Sequence, residues 1–136
     1  LSLDGRRPTM PFMLKIRWDI KEGRESEFRA NEEKVCEVMH EHPGVITYHV
    51  EYPSSRVSEW TEIYATDEAF RAHLDNEKGK APLATVIDAC ETITCRCFGD
   101  PDDASKRILV GFGTAYLESA PQSFVLNPRA DKDSLV

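Results

Sequence analysis

From Ser58 the chain alternates with a period of two, Ser58-Glu59-Trp60-Thr61-Glu62-Ile63-Tyr64, and at Thr66 it changes to a period near 3.6. A strand therefore runs almost directly into a helix. Trp60, Glu62 and Tyr64 share one face of that strand, which is unusually chemical for a core. Thr66 supplies an N-cap hydroxyl, and Asp67 and Glu68 meet the positive end of the helix dipole. Phe70, His73 and Leu74 stand at i, i+3 and i+4, so His73 belongs to the apolar stripe that faces the sheet. If the sheet face under that stripe is the one carrying Glu62, a carboxylate and an imidazole meet in an apolar layer. Such a pair can move protons, or it can be a structural hydrogen bond that locks helix to strand.

The length of 136 residues fits one domain, and the bulk of it is expected in residues 12–117. Residues 1–11 read as a flexible leader, in part an expression remnant with Met10 or Met13 as a candidate start. Residues 118–136, with Pro121 and Pro128, read as a tail whose apolar patch, residues 123–126, can dock on a neighbour. No apolar run approaches the ~20 residues needed to cross a membrane. A net charge of −7 leaves no basic stripe for phosphates, so neither membrane nor nucleic acid is an expected partner. Cys36, Cys90, Cys95 and Cys97 lack metal-ligand or redox spacing and read as reduced core residues, which places the chain in the cytoplasm. No metal site is expected. His40 and His42, two apart at a helix end, diverge by about 200° and suit the helix dipole better than a metal.

Residues 12–20 alternate through nine positions, with Phe12, Leu14, Ile16, Trp18 and Ile20 on the packing face and Lys15, Arg17 and Asp19 opposite. A helix follows from Arg24 to about His40. Its apolar face is Phe28, Val35, Val38 and Met39, and Glu25, Glu27, Arg29, Glu32, Glu33 and Lys34 form a solvated face. Pro43-Gly44 ends it. The strand from Val45 to Tyr52 places Ile46, Tyr48 and Val50 on one side and Thr47, His49 and Glu51 on the polar side, where His49 reads as an interface residue. Pro53 to Arg56 turn the chain into the third strand. Residues 75–80 read as a charged break, Pro82 as the start of a short helix to Cys90, and residues 92–98 as the fourth strand. A last helix opens at Asp102 and carries Ile108, Leu109, Phe112, Tyr116 and Leu117, weakened by Gly111 and Gly113.

Strand, helix, hairpin, helix, strand is the α+β, ferredoxin-like βαββαβ order: a four-stranded antiparallel sheet with helices on one face. The uncovered face is most economically closed by a second copy, giving a homodimer.

Residues 20–28, Pro43-Gly44, Glu62-Ile63-Tyr64 and residues 68–74 together resemble the antibiotic biosynthesis monooxygenase-like family of the dimeric α+β barrel superfamily. The resemblance spans roughly residues 12–98, and the spacing from Glu62 to His73 is its most specific element. It implies small cofactor-free proteins. Some oxidise phenolic or quinol-like polyketides with molecular oxygen, some degrade haem, some are isomerases, and pockets lie between sheet and helices. Haem-degrading members carry an Asn on the first strand where Ile16 stands here, which argues against that activity. The expected function is thus a cofactor-independent monooxygenase acting on an aromatic quinol or phenol. His73, or Glu62 through it, takes the phenolic proton, while Trp60, Tyr64, Phe70 and Cys95 line the substrate. A non-oxidative isomerase or cyclase, or a non-catalytic ligand-binding dimer, are the alternatives. Cys95 or Cys97 as nucleophile is the weaker reading, since a strand-interior thiol is usually an inert core group.

Overall fold

A computed structural model describes residues 11–117; the expected leader, apart from Pro11, and the expected tail lie outside the described residues. In chain order the elements are β1 (Phe12–Ile20), α1 (Glu25–Met39), β2 (Val45–Ser54), β3 (Val57–Tyr64), α2 (Asp67–Asp75), α3 (Glu77–Asp88), β4 (Cys90–Phe98), α4 (Asp103–Val110) and β5 (Ala115–Leu117). They form one sheet in the order β2-β3-β1-β4-β5. The first four strands pair antiparallel, in ferredoxin-like order, while β5 runs parallel to β4. The sheet is therefore five-stranded and mixed, one strand more than the pattern alone implies.

The alternation of β1 dictates the rest. Phe12, Leu14, Ile16, Trp18 and Ile20 are all buried, and they meet Phe28 and Val35 of α1, Phe70 of α2, Val86 of α3 and Leu109 of α4 in one core. All four helices thus feed the same sheet face. Among the described residues, no helix is long and apolar enough to cross a membrane.

Four departures from the sequence reading have local causes. The register of β2 shifts between Val45 and Thr47, a bulge that turns Ile46 outward and gives its place opposite Tyr64 to Val45. The segment 77–80 is helical rather than a break: Asn76 caps Lys78 N at 3.0 Å, so α3 begins before Pro82 and carries it inside. The last helix stops at Val110, because Gly113 takes φ +61° and Thr114 Oγ1 donates to Leu109 O at 2.8 Å. Tyr116 and Leu117 consequently lie on β5, not on α4. Finally, Glu32 of α1 is 2% exposed instead of solvated.

Two close approaches set the position of α2. A Cβ on Gly44 would lie 2.5 Å from Ala69 Cβ, so only glycine lets the start of β2 pass this helix. Arg71 Nη1 bonds both carboxylate oxygens of Asp102, at 2.8 and 2.9 Å, and Asp102 N donates to Asp67 Oδ1 at 2.8 Å. These contacts fix the N-terminus of α4 to α2, over the helix-covered face of the sheet.

Candidate active site

Glu62 sits on β3 opposite Leu14 of β1 and Tyr48 of β2, with its side chain on the helix-covered face. It is 3% exposed. Two residues on, Tyr64 Oη donates to Glu62 Oε2 at 2.7 Å. The Thr66 cap, accepting from Ala69 N at 3.0 Å, starts α2 so that Phe70 and His73 both face inward. The His73 ring stacks on Tyr64 at 6.2 Å between centroids, with Tyr48 at 6.0 Å and His42 at 6.2 Å edge-on. Phe70 packs edge-on against Tyr64 at 5.2 Å.

Glu62, His73, Trp60, Phe70 and Cys95 line one cleft, closed below by Leu14, Ile16 and Trp18 and above by Leu74, Leu83, Leu109 and Phe112. Tyr64 is not part of that lining; it backs the carboxyl. The cavity volume is about 30 Å³, room for about one water molecule. A ring-sized guest must therefore displace side chains from the upper wall, where Leu74, Leu83 and Phe112 are only half-buried.

Burial shapes the electrostatics. It pushes the Glu62 carboxyl up from 4.5 to about 7, against the opposing hydrogen bond from Tyr64 and the pull of the Tyr48 hydroxyl, which lies near without hydrogen-bond geometry. It also lowers the His73 imidazole from 6.5 to about 4, with His42 adding repulsion. Near neutral pH the carboxyl is close to its midpoint and the imidazole is uncharged. Glu62 directs its hydrogen bond to Tyr64 rather than to His73, whose Nδ1 has no partner among the described residues. The two groups share a cleft without forming a pair. Burial raises the Cys95 thiol too, so it lines the wall as an uncharged group, and all four cysteines are free.

A second buried carboxylate escaped the sequence reading. Glu32 Oε2 accepts from Ser58 Oγ at 2.6 Å and from Trp60 Nε1, which fixes the indole whose ring borders the cleft. The signal was present in the helical spacing Phe28, Glu32, Val35, Met39. Glu32→Ala is expected to cost about 1–3 kcal/mol in urea unfolding, since the Ser58 hydroxyl loses its acceptor and Trp60 Nε1 keeps only Ser58 Oγ, at 3.0 Å. Glu32→Gln, which keeps an acceptor, should cost less than half of that. Equal losses in the two variants would mean that packing, not the hydrogen bonds, holds Trp60. Among the described residues, no group of three or more His, Cys, Asp or Glu side chains could hold a metal ion.

Fold and cleft define the class: a ferredoxin-like α+β protein enclosing a buried acid and a neutral imidazole between its sheet and its helices. No family model matches the sequence, and no curated protein does. Solved structures do match. MupZ from Pseudomonas fluorescens superposes with a TM-score of 0.62 at 14% identity, over 88% of this chain and 97% of its own. A candidate antibiotic biosynthesis monooxygenase from Caulobacter crescentus CB15 gives 0.60 at 15% identity, covering 69% of this chain and 92% of that one. SnoaB, a cofactor-independent oxygenase from Streptomyces nogalater, gives 0.56 at 14% identity, over 68% and 94%. The chain thus shares the ferredoxin-like fold of antibiotic biosynthesis monooxygenase structures; at these identities the likeness is one of fold.

Proposed function

We propose that the chain is a cofactor-independent oxygenase that uses Glu62 as the base toward an electron-rich phenol. The observation that carries this reading is a single ionisable carboxyl poised at about 7 on the wall of an apolar cleft. A base is most effective when its pKa lies near the working pH. His73, neutral there, is the poorer base and serves as a hydrogen-bonding partner for the ionised substrate oxygen. The ring of Trp60 and the edge of Phe70 hold the flat substrate.

Removing the hydroxyl proton makes the ring electron-rich enough to reduce molecular oxygen without an added electron donor. A ring methylene then becomes a carbonyl. It loses two hydrogens and gains one atom of oxygen, and the second atom leaves as water with those hydrogens. Glu62 takes the hydroxyl proton at the start and returns it to the same substrate oxygen once the carbonyl has formed. The substrate supplies all four electrons, so neither metal nor organic cofactor is needed.

The outer sheet face supports the homodimer in the same reading. Met13 neighbours Ile63 on β3 and Phe98 on β4, an apolar cluster that is only half-buried in the single chain.

Oxygen uptake with a panel of anthrone-like phenols, each carrying a ring methylene, tests the proposal on protein shown by sedimentation to be dimeric. Uptake above the uncatalysed rate is expected, lost in Glu62→Gln and reduced in His73→Ala with both variants folded. Turnover that ignores oxygen would transfer the site to an isomerase or cyclase. Binding without turnover would leave a ligand-binding dimer, and sedimentation at the monomer mass would remove the dimer.

A further inference from the structure

Three buried polar atoms have no hydrogen-bond partner among the described residues: Trp18 Nε1, Tyr48 Oη and His73 Nδ1. Interiors contain few such groups, because each costs about 1–3 kcal/mol. Trp18, 1% exposed, and His73 line the same cleft, and they do so toward opposite ends. Trp18 lies opposite Ser58, while Leu14 lies opposite Glu62 and Phe12 opposite Tyr64, on which His73 stacks. The indole and the carboxyl thus rise from rows four residues apart, roughly 13 Å along the strand. Trp60, which comes between them, has its N–H bound to Glu32. The Trp18 N–H can only donate, so what it lacks is an acceptor.

We infer that Trp18 selects substrates bearing a hydrogen-bond acceptor, such as a carbonyl oxygen, at the end remote from the hydroxyl that Glu62 engages. The inference rests on reading the cleft as the substrate site, and it narrows what fits there: a flat, apolar molecule of at least two fused rings with an acidic hydroxyl at one end and an acceptor at the other. A molecule with a hydrocarbon edge toward Trp18 leaves the N–H unpaired. One that presents an ammonium there sets donor against donor and is rejected.

Two probes on one skeleton isolate the effect: 6-hydroxy-1-tetralone, and 5,6,7,8-tetrahydro-2-naphthol, which lacks the carbonyl. Calorimetry on the full chain should show the ketone binding about tenfold tighter, the scale of one hydrogen bond to a buried donor. Trp18→Phe should abolish that preference while changing affinity for the carbonyl-free probe only about two- to threefold. Replacing Trp18 with 3-benzothienylalanine, which keeps the bicyclic shape without the N–H, should do the same if the smaller phenylalanine impairs folding. The carbonyl also acidifies the phenol, but equally for every chain, so the effect cancels when the preferences are compared. Equal affinity for the two probes in the unaltered chain, or a preference that survives loss of the N–H, overturns the inference. Glu62→Gln tests the underlying reading separately. It should remove the pH dependence near neutral pH with which the carbonyl-free probe, itself un-ionised there, binds, and if that dependence persists, the substrate-site reading fails whatever Trp18 does. Failure of both probes to bind would overturn both.

Discussion

Between pH 4.5 and 6.5 the stabilities of Glu62→Gln and His73→Leu, each taken relative to the unaltered chain, are expected to slope in opposite directions. The cause is that burial displaces the two groups by similar amounts and opposite signs. Glu62 ionises near 4.5 when unfolded and near 7 when folded. Through that interval the folded chain holds the extra proton, so the associated stability is fully present below pH 4.5 and is lost as pH rises through 7. His73 is protonated near 6.5 when unfolded and near 4 when folded. Its contribution is fully present above pH 6.5 and is lost as pH falls through 4. At about 1.4 kcal/mol per pH unit, each spans about 3 kcal/mol. Where the intervals overlap the slopes cancel. Glu62→Gln removes the falling component, so its stability relative to the unaltered chain should rise by about 3 kcal/mol from pH 4.5 to 7. His73→Leu removes the rising component, so its stability relative to the unaltered chain should fall by a similar amount from pH 4 to 6.5. Urea unfolding at half-unit steps checks this. All other titrating groups, buried Glu32 included, are common to the three proteins and drop out of the differences. Parallel curves for all three would show that the two groups titrate as if exposed.

The same two residues show what a sequence can disclose and what it cannot. Alternation along β3 and the i, i+3 spacing of Phe70 and His73 are properties of the backbone, and they were enough to bring Glu62 and His73 to one layer. Which hydrogen bonds follow depends on side-chain directions and neighbouring strands. Glu62 turned to Tyr64 on its own strand, a contact that periodicity does not distinguish from one to His73. Glu32 shows a different limit. Its position in the helical stripe was legible, but its charge argued for solvent, and only Ser58 and Trp60 on another element make its burial tolerable. The edges of the sheet were hardest to read. Ile46 is displaced by a bulge that shifts the pattern by one residue, and β5 is three residues long, held by pairing with β4 rather than by any local preference.

Which group is the base has a kinetic signature larger than any of the stability effects. If Glu62 takes the proton, Glu62→Gln should lower kcat by about 10²–10⁴, the usual contribution of a positioned general base. In the unaltered chain kcat should rise with pH through an acid limb near 7, where the carboxyl ionises. Tyr64→Phe then provides the test that a merely structural role would fail. The Tyr64 hydroxyl donates to the carboxylate and favours its charged form, so deleting it leaves burial less opposed. The acid limb should move to higher pH, by about one unit. At pH 6.5 the variant should be several-fold slower, and by pH 8.5 it should approach the unaltered rate, a recovery that lost packing or lost substrate affinity would not produce. A different result would reassign the chemistry. An acid limb near 4, indifferent to Tyr64→Phe and abolished by His73→Ala, would make the imidazole the base. Glu62 would then be left with a role in shaping the cleft. The two groups are placed by the same strand-to-helix corner, but burial separates their ionisations widely enough for a pH–rate profile to tell them apart.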